Sequence, residues 1–185
     1  MIGNDVVDIA KAKRDSNWER PGYLEKVFTK KEQCYISTSE NKTEMVWRLW
    51  SMKEAAYKLY TQLHPSRFYA PNQFCCDIDN TFGKVCYKDF SCVVKTHIQP
   101  EYIVSEARLT SEDFISTVIK IDEFSDNTII QNKLIKEVAS AYSLSKNAIK
   151  IRKDGHNIPT IHYKNDEIFI SLSHHGNFGA YAFTK

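Results

Sequence analysis

Three clusters of polar residues in this sequence could carry chemistry, and they lie at residues 3–8, 50–58 and 171–176. The first places two aspartates three residues apart in an apolar stretch, and the second places a lysine four residues after a glutamate. Carboxylates can bind hard divalent cations or accept protons, and a lysine one helical turn away can neutralise nearby charge. The third combines serines with histidines, which can donate hydrogen bonds. Zinc binding is not favoured, because no third ligand stands at a spacing typical of zinc sites.

Each cluster also has an ordinary structural explanation. Residues 3–8 could be a turn that enters a strand, and residues 171–176 a polar loop that joins the last two strands. Glu54 and Lys58 could form an exposed ion pair worth about 0.3 kcal/mol. Considered singly, each cluster favours this structural explanation, so only their joint occurrence argues for a function.

The chain is long enough for one hydrophobic core. It has 185 residues, of which 42% are hydrophobic, and should bury roughly 70% of the surface of its unfolded chain. This predicts one domain or two small halves. The 25 basic and 23 acidic residues give a net charge of +2, which excludes a strongly basic nucleic-acid binder and the composition of a disordered chain.

Neither a membrane segment nor a secretion signal is expected. No apolar run approaches the roughly 20 residues that cross a bilayer, and Asp5 and Asp8 lie where a signal peptide would be basic and then apolar. The five cysteines are odd in number and lack CxxC spacing, so reduced thiols are expected. These features predict a cytoplasmic protein.

Hydrophobic spacing predicts the elements that must position the clusters. Residues 1–10 are predicted to form a short buried strand, and apolar residues at spacings of three and four over 43–63 predict a central helix. Antiparallel strands follow over 74–109, then a second helix over about 129–144 and short strands over 149–183. The fold class is α+β, and a helix followed by strands occurs twice, which indicates a duplicated unit.

In this order the clusters resemble the phosphopantetheinyl transferase superfamily. The similar motifs are Gly-x-Asp at 3–5, Trp-Ser-x-Lys-Glu-Ala-x-x-Lys at 50–58 and Ser-Leu-Ser-His at 171–174. A Phe-Thr-x-x-Glu pattern at 28–32 resembles the start of a helix between the first two motifs. The Lys–Glu helix motif is the most specific of these similarities.

The resemblance implies an architecture of two halves that occur in the opposite order to the halves of the larger members of the family. The motif order is that of the small holo-acyl-carrier-protein synthases, whereas the length resembles the larger surfactin-synthetase type. We expect a 4'-phosphopantetheinyl transferase-like fold over 1–185, in which similar helix-plus-antiparallel-sheet halves at 1–120 and 121–185 form a pseudodimer. Trp47 and Trp50 are expected to contact the second half. A monomer is expected, because one chain then buries the surface that small subunits would bury by association.

The resemblance also implies a magnesium-dependent transfer of 4'-phosphopantetheine from coenzyme A to a serine of an apo acyl or peptidyl carrier protein, with release of adenosine 3',5'-bisphosphate. Asp5 and Glu54 match the family's two ligating carboxylates, and Asp8 is a third candidate metal ligand, directly or through water. Glu54, or a water that it orients, is the candidate base. Lys58 is the candidate clamp for charge on the leaving phosphate.

Other residues are implied to bind coenzyme A, which should lie in a crevice between the halves. Ser173 and His174 match a pair that binds coenzyme A phosphates, whereas His175 is expected to take no part. Lys11 matches a basic position on the family's first helix, where it would contact coenzyme A or an acidic carrier protein. Members also carry Gly-Lys-Pro where this chain has Gly and Pro at 155 and 159 without the lysine; Lys153 and His156 are both open as substitutes.

Two other functions remain compatible with the sequence. One is a catalytically inactive homologue of the same fold that binds coenzyme A or a carrier protein. Retention of Asp5, Glu54 and Lys58 argues against it. The other is a nucleic-acid-binding module that uses the basic residues between 11 and 20, which the near-neutral net charge disfavours. We therefore expect coenzyme A and a carrier protein of fatty acid or polyketide synthesis as partners, with neither nucleic acid nor membrane.

Overall fold

A computed structural model describes residues 1–109, 113–123, 127–164 and 166–184. It shows two antiparallel sheets with associated helices. The elements of the first unit are β1 (Ile2–Asp8), α1 (Ile9–Asp15), α2 (Tyr23–Val27), α3 (Lys30–Thr38), α4 (Lys42–Leu63), β2 (Cys75–Asp79), β3 (Phe82–Tyr87), β4 (Phe90–Ile98) and β5 (Tyr102–Arg108). Those of the second unit are β6 (Phe114–Lys120), α5 (Thr128–Ala141), β7 (Lys150–Lys153), β8 (Pro159–Tyr163), β9 (Asp166–His175) and β10 (Phe178–Thr184).

The two sheets share one connectivity. In the first, β1 precedes α4, and the meander from β2 to β5 then returns to pair with β1, which gives the order β1-β5-β4-β3-β2. In the second, β6 precedes α5, and the meander from β7 to β10 gives the order β6-β10-β9-β8-β7. The predicted α+β class and the two similar helix-plus-sheet units are confirmed.

Strand β6 was not predicted from the sequence. It pairs with β10 from Lys120↔Phe178 to Phe114↔Thr184, so strand pairing places it in the second unit, whereas a division at residue 120 assigned it to the first. Its residues are nearly all half-buried, and half-burial of both faces leaves no alternating pattern to detect. The extent of the domain over 1–185 stays a prediction.

Helix α4 packs across the first sheet and supplies much of the first core, as its apolar spacing predicted. It contacts β1, β4 and β5. Trp47 and Trp50 also pack in this first core, and their expected contact with the second unit stays a prediction. None of the described helices is both long and apolar enough to span a membrane. The fully buried residues of α4 with no exposed surface are Val46, Leu49, Ser51, Met52, Ala55, Ala56 and Leu59.

Gly3 allows β1 to lie unusually close to α4. A Cβ atom at this position would overlap the carbonyl oxygen of Ala55 and come within 2.8 Å of the backbone nitrogen of Leu59. Both are atoms of the helix backbone, which cannot move aside as the end of a side chain can. The glycine of the Gly-x-Asp motif is therefore required by packing, and it brings Asp5 next to the helix.

A buried ion pair fixes the segment that leads into β2. Lys53 and Glu32 are 1% and 0% exposed, and Lys53 Nζ lies 2.8 Å from Glu32 Oε2. Lys53 also donates to the carbonyl oxygen of Phe74, and Glu32 accepts the N–H groups of Thr29 and Cys76. Because both charges are compensated and hydrogen-bonded, their burial is tolerated. The lysine of the Lys–Glu motif is thus structural, whereas the glutamate that follows it takes no part in this ion pair.

The two units meet where β1 packs against β9 and β10. Val6 of β1 and Val104 of β5 contact Phe178 and Ala180 of β10 in a small apolar cluster. This cluster is separate from the cores under α4 and α5. The interface therefore rests mainly on β1, the strand that carries the first acidic motif.

Substitution of Gly3 by alanine should destabilise the protein by about 3 kcal/mol, because two backbone segments must separate to admit the methyl group. Gly155→Ala is the matched control, since a Cβ atom there meets no atom within 4 Å. Urea unfolding of both variants measures the difference. A Gly3→Ala protein as stable as the Gly155→Ala protein would contradict the close approach.

Removal of the buried charge of Lys53 should also destabilise the folded protein. We expect Lys53→Met to lower the free energy of unfolding by about 3 to 5 kcal/mol, because Glu32 is left buried without its counter-charge. Lys30→Met, at an exposed position of α3, should change it little. Addition of Glu32→Gln to Lys53→Met should restore part of the loss, and a double variant no more stable than the single one would refute this explanation.

Candidate active site

The outer edge of β1 is bound by side chains of β9. The N–H of Asn4 donates to Ser171 Oγ at 2.8 Å, and the N–H of Asp8 donates to His175 Nδ1 at 2.9 Å. An edge strand exposes backbone donors that need partners. Here the second unit provides those partners. His175, expected to take no part, therefore joins the two units.

The Ser-Leu-Ser-His motif lies wholly within β9, whereas its last two residues were predicted to lie in a loop over 173–177. The strand continues to His175, and only Gly176 and Asn177 form the turn to β10. Because side chains alternate along a strand, Ser173 shares a face with Ser171 and His175. The buried hydroxyl of Ser173 has no hydrogen-bond partner among the described residues. A buried hydroxyl without a partner is uncommon in folded proteins.

Asp5 and Lys58 form the charged centre of the site. Lys58 Nζ lies 3.1 Å from Asp5 Oδ1 and donates to the carbonyl oxygen of Asn4 at 2.8 Å. Ser51 Oγ donates to the carbonyl oxygen of Asp5 at 3.2 Å. Burial raises the pKa of Asp5, while Lys58 and His175 oppose the increase. The helix motif thus binds the acidic strand at two backbone carbonyl oxygens, of Asn4 and Asp5, and at the carboxylate of Asp5.

Glu54 lies one helical turn before Lys58 and is half-buried. It makes no hydrogen bond or ion pair with any described residue, so the exposed Glu54–Lys58 pair is not formed. Burial raises the pKa of Glu54 to about 7, and the negative charge of Asp5 adds to the increase while Lys58 opposes it. A carboxyl group with this pKa can accept or donate a proton near neutral pH.

The donor set of Asp5 and Glu54 fits a magnesium ion. Two mutually repelling carboxylates share one lysine, and a divalent cation between them would relieve the repulsion. Across the described segments, no three His, Cys, Asp or Glu side chains are grouped to hold a metal. Magnesium suits a site with so few protein ligands, because it keeps waters and binds substrate phosphates.

Asp8 serves the backbone of both units. Its Oδ1 accepts the N–H of Lys11 and caps α1, and its Oδ2 accepts the N–H of Asn177 at 2.9 Å. Gly176 has a φ of +55° and lies so close that a Cβ atom would overlap the carboxylate. Burial alone would raise the pKa of Asp8, but the donors at Asn177 and Lys11 outweigh it and lower the pKa. The sequence did not reveal that Asp8 binds backbone groups of both units. The metal-ligand role of Asp8 stays a prediction.

A cleft of about 500 Å³ opens between the two units beside Asp5 and Lys58. Ser173 and the exposed His174 line it from the second unit. The structure therefore brings together the strand, helix and Ser-His motifs that lie far apart in the sequence. The other basic residues that line the cleft are Arg67, Lys153 and His156.

Arg67 was missed by the sequence analysis. It stands in an irregular segment between α4 and β2 and matches no motif, so only its charge could have marked it. It is exposed and makes no ion pair within the described ranges. A second pocket of about 500 Å³ contains Glu54 and shares Tyr57 and Arg67 with the cleft. Its remaining walls are mainly apolar, with Phe68, Tyr69, Ala70, Pro71 and Phe74.

Lys11 is not part of the cleft lining. Its Nζ lies 2.7 Å from Asp15 and 2.6 Å from Glu123, and Arg14 also pairs with Glu123. These pairs join α1 to the segment that follows β6. A contact between Lys11 and coenzyme A would require the lysine to leave both partners, so that role stays a prediction.

The raised pKa of Glu54 makes stability depend on pH. Between the ordinary pKa of 4.5 and the folded value of about 7, the folded protein keeps a proton that the unfolded chain loses. The free energy of unfolding therefore falls as pH rises through this range. Glu54→Gln should remove the fall, so its stability relative to wild type should be about 1 to 2 kcal/mol greater at about pH 8 than at about pH 4. Urea unfolding in EDTA checks this, and an equal difference at both pH values would contradict it.

One of three comparisons with known proteins supports the motifs at the site. A family model described as the 4'-phosphopantetheinyl transferase superfamily matches residues 1–118. A solved structure, the holo-[acyl-carrier-protein] synthase of Thermotoga maritima, is similar with 13% sequence identity and a TM-score of 0.44, over 85% of this chain and 83% of that chain. A search of curated proteins gives no significant match. The family match extends over more than half of the sequence and includes the strand and helix motifs, so the chain belongs to the 4'-phosphopantetheinyl transferase superfamily.

Proposed function

We propose that this protein transfers 4'-phosphopantetheine from coenzyme A to a serine hydroxyl of an apo carrier protein. The main observation in support is that Asp5 and Lys58 line the same cleft as Ser173 and His174. Glu54 lies beside this cleft, close enough to Asp5 for their charges to interact. Family membership supports the general transfer reaction. An inactive homologue is disfavoured, because a half-buried glutamate without a described partner, next to an aspartate, destabilises the fold without serving it.

The charges of the cleft suit a ligand with several phosphates. Lys58, Arg67 and Lys153 contribute three cations to its lining, against the single carboxylate of Asp5. His174 and Ser173, which also line the cleft, add an imidazole and a hydroxyl group. Phosphate oxygens accept hydrogen bonds from all of these groups. We place the phosphates of coenzyme A here and its neutral arm toward the apolar pocket beyond Arg67.

In the proposed reaction, the serine oxygen of the carrier protein forms a bond to the phosphorus that carries the pantetheine arm. The bond from that phosphorus to the bridging oxygen of the pyrophosphate breaks, and adenosine 3',5'-bisphosphate leaves. Glu54, which is half-buried and makes no hydrogen bond with a described residue, accepts the serine proton. Lys58 stabilises the negative charge that grows on the leaving phosphate.

Asp5 and Glu54 would hold the magnesium ion, which supplies positive charge to the reacting phosphates. Lys58 keeps Asp5 in place through its bond to the same strand. Ser51 and Gly3 fix the distance between that strand and the helix. These residues hold the two carboxylates before substrate arrives.

We further propose a cytoplasmic monomer that acts on a carrier protein of fatty acid or polyketide synthesis. One chain contributes Asp5 and Lys58 from its first unit and Ser173 and His174 from its second. A second copy is therefore not needed to complete the site. The family resemblance supports the choice of partner.

The decisive experiment incubates the protein with coenzyme A, magnesium and several apo carrier proteins and measures carrier mass. Wild type should add the phosphopantetheine group, whereas Glu54→Gln should be slower by orders of magnitude, because both a ligand and a base are lost. Glu40→Gln, at an exposed position, is the matched control. Rates near wild type for Glu54→Gln would refute the role of Glu54, and absence of transfer by wild type to every carrier would refute the function.

A second prediction concerns His174. His174→Ala should raise KM for coenzyme A on the order of tenfold while kcat changes by less than about twofold, because the imidazole contacts the ligand away from the reacting phosphorus. His97→Ala, on the outer face of the first sheet, should change neither constant. Steady-state kinetics at varied coenzyme A separates the two effects. A fall in kcat at unchanged KM would place His174 in the chemical step.

A further inference from the structure

Two cysteines lie opposite each other on the outer face of the first sheet. Cys75 of the edge strand β2 is in direct register with Cys86 of β3. Cys75 is exposed and Cys86 is half-buried, whereas the adjacent Cys76 and Val85, also in register, are 3% and 0% exposed. Since side chains alternate along strands, Cys75 and Cys86 both point away from the core.

The register gives these two residues the spacing of a disulfide. Directly opposed Cα atoms in an antiparallel pair are about 4.5 or about 5.5 Å apart, depending on the kind of pair. Disulfides span Cα separations of about 4.4 to 6.8 Å. We propose that Cys75 and Cys86 are a thiol oxidation site that forms a reversible disulfide with a low-molecular-weight disulfide as oxidant.

The reaction is thiol–disulfide exchange in two steps. The thiolate of the exposed Cys75 attacks a sulfur of the oxidant, and one thiol of the oxidant leaves. The thiolate of Cys86 then attacks Cys75 of this mixed disulfide, and the second thiol leaves. Two protein thiols are oxidised, and one external disulfide is reduced to two thiols.

The other cysteines lack one or more of these properties. Burial raises the pKa of Cys76 well above the ordinary thiol value and that of Cys92 to about 12, so neither supplies a thiolate near neutral pH. Cys34 is exposed but lies on α3, where no cross-strand partner is in register with it. Selectivity for the Cys75–Cys86 pair follows from exposure and register together.

The cross-link would act beside the buried ion pair of the first unit. Cys75 is flanked by Phe74, whose carbonyl oxygen accepts from Lys53, and by Cys76, whose N–H donates to Glu32. A covalent bond at Cys75 would therefore fix the edge strand at the point where it is anchored to α3 and α4. This inference does not depend on the proposed transfer reaction.

The test treats the folded full-length protein with oxidised glutathione and measures intact mass and mapped peptides under denaturing conditions. We expect a loss of about 2 Da, a bond between Cys75 and Cys86, and reversal by dithiothreitol. Cys75→Ser and Cys86→Ser should each abolish the loss. Cys34→Ser, which removes an exposed thiol outside the pair, should retain it.

Three results would overturn the proposal. These are a stable glutathione adduct on Cys75 without closure to Cys86, a bond that includes Cys34, or five unchanged thiols. Because the readout is covalent mass, it is independent of carrier-protein modification. A protein that forms the disulfide but transfers nothing would refute only the proposed function.

Discussion

Every part of the site depends on how the edge of β1 is held. Helix α4 lies against one side through Gly3, and β9 supplies Ser171 and His175 to the backbone donors on the other. This strand also carries Asp5, so the same contacts that join the units fix the acidic centre. Binding of an edge strand by side chains removes unpaired donors without extending the sheet.

The motifs predicted from the sequence correspond to distinct physical demands. Gly3 is required by backbone packing, Lys53 by the buried charge of Glu32, and Ser51 by the carbonyl oxygen of Asp5. Among the charged residues of its motif, Glu54 is the one without a hydrogen bond or ion pair to a described residue, which is the feature that favours a role in chemistry. Several residues of a functional motif thus serve the fold, and their pattern could be recognised before their contacts were known.

Other features could not be read from residue types. Strand β6 is half-buried along its length and lacks alternation, so only its pairing with β10 identifies it. Ser173 was placed in a loop because serine, histidine and glycine are typical of turns, yet the strand continues to His175. Asp8 and His175 have roles that depend on a neighbour more than 160 residues away, at separations of 169 and 167. Long-range hydrogen bonds leave no trace in local spacing.

The shared connectivity of the units has a consequence for how the chain folds. In each unit the first strand pairs with the last, so Ile2 must wait for Arg108 before its sheet can close. The Asn4–Ser171 bond spans 167 residues and needs the final hairpin as well. Contacts at such sequence separation are entropically expensive to close and are associated with slow folding. During synthesis, the amino-terminal strand would therefore stay unpaired until β5 has been made, and its other edge would stay open until β9 follows. The candidate site, which needs both units, would be among the last parts of the molecule to assemble.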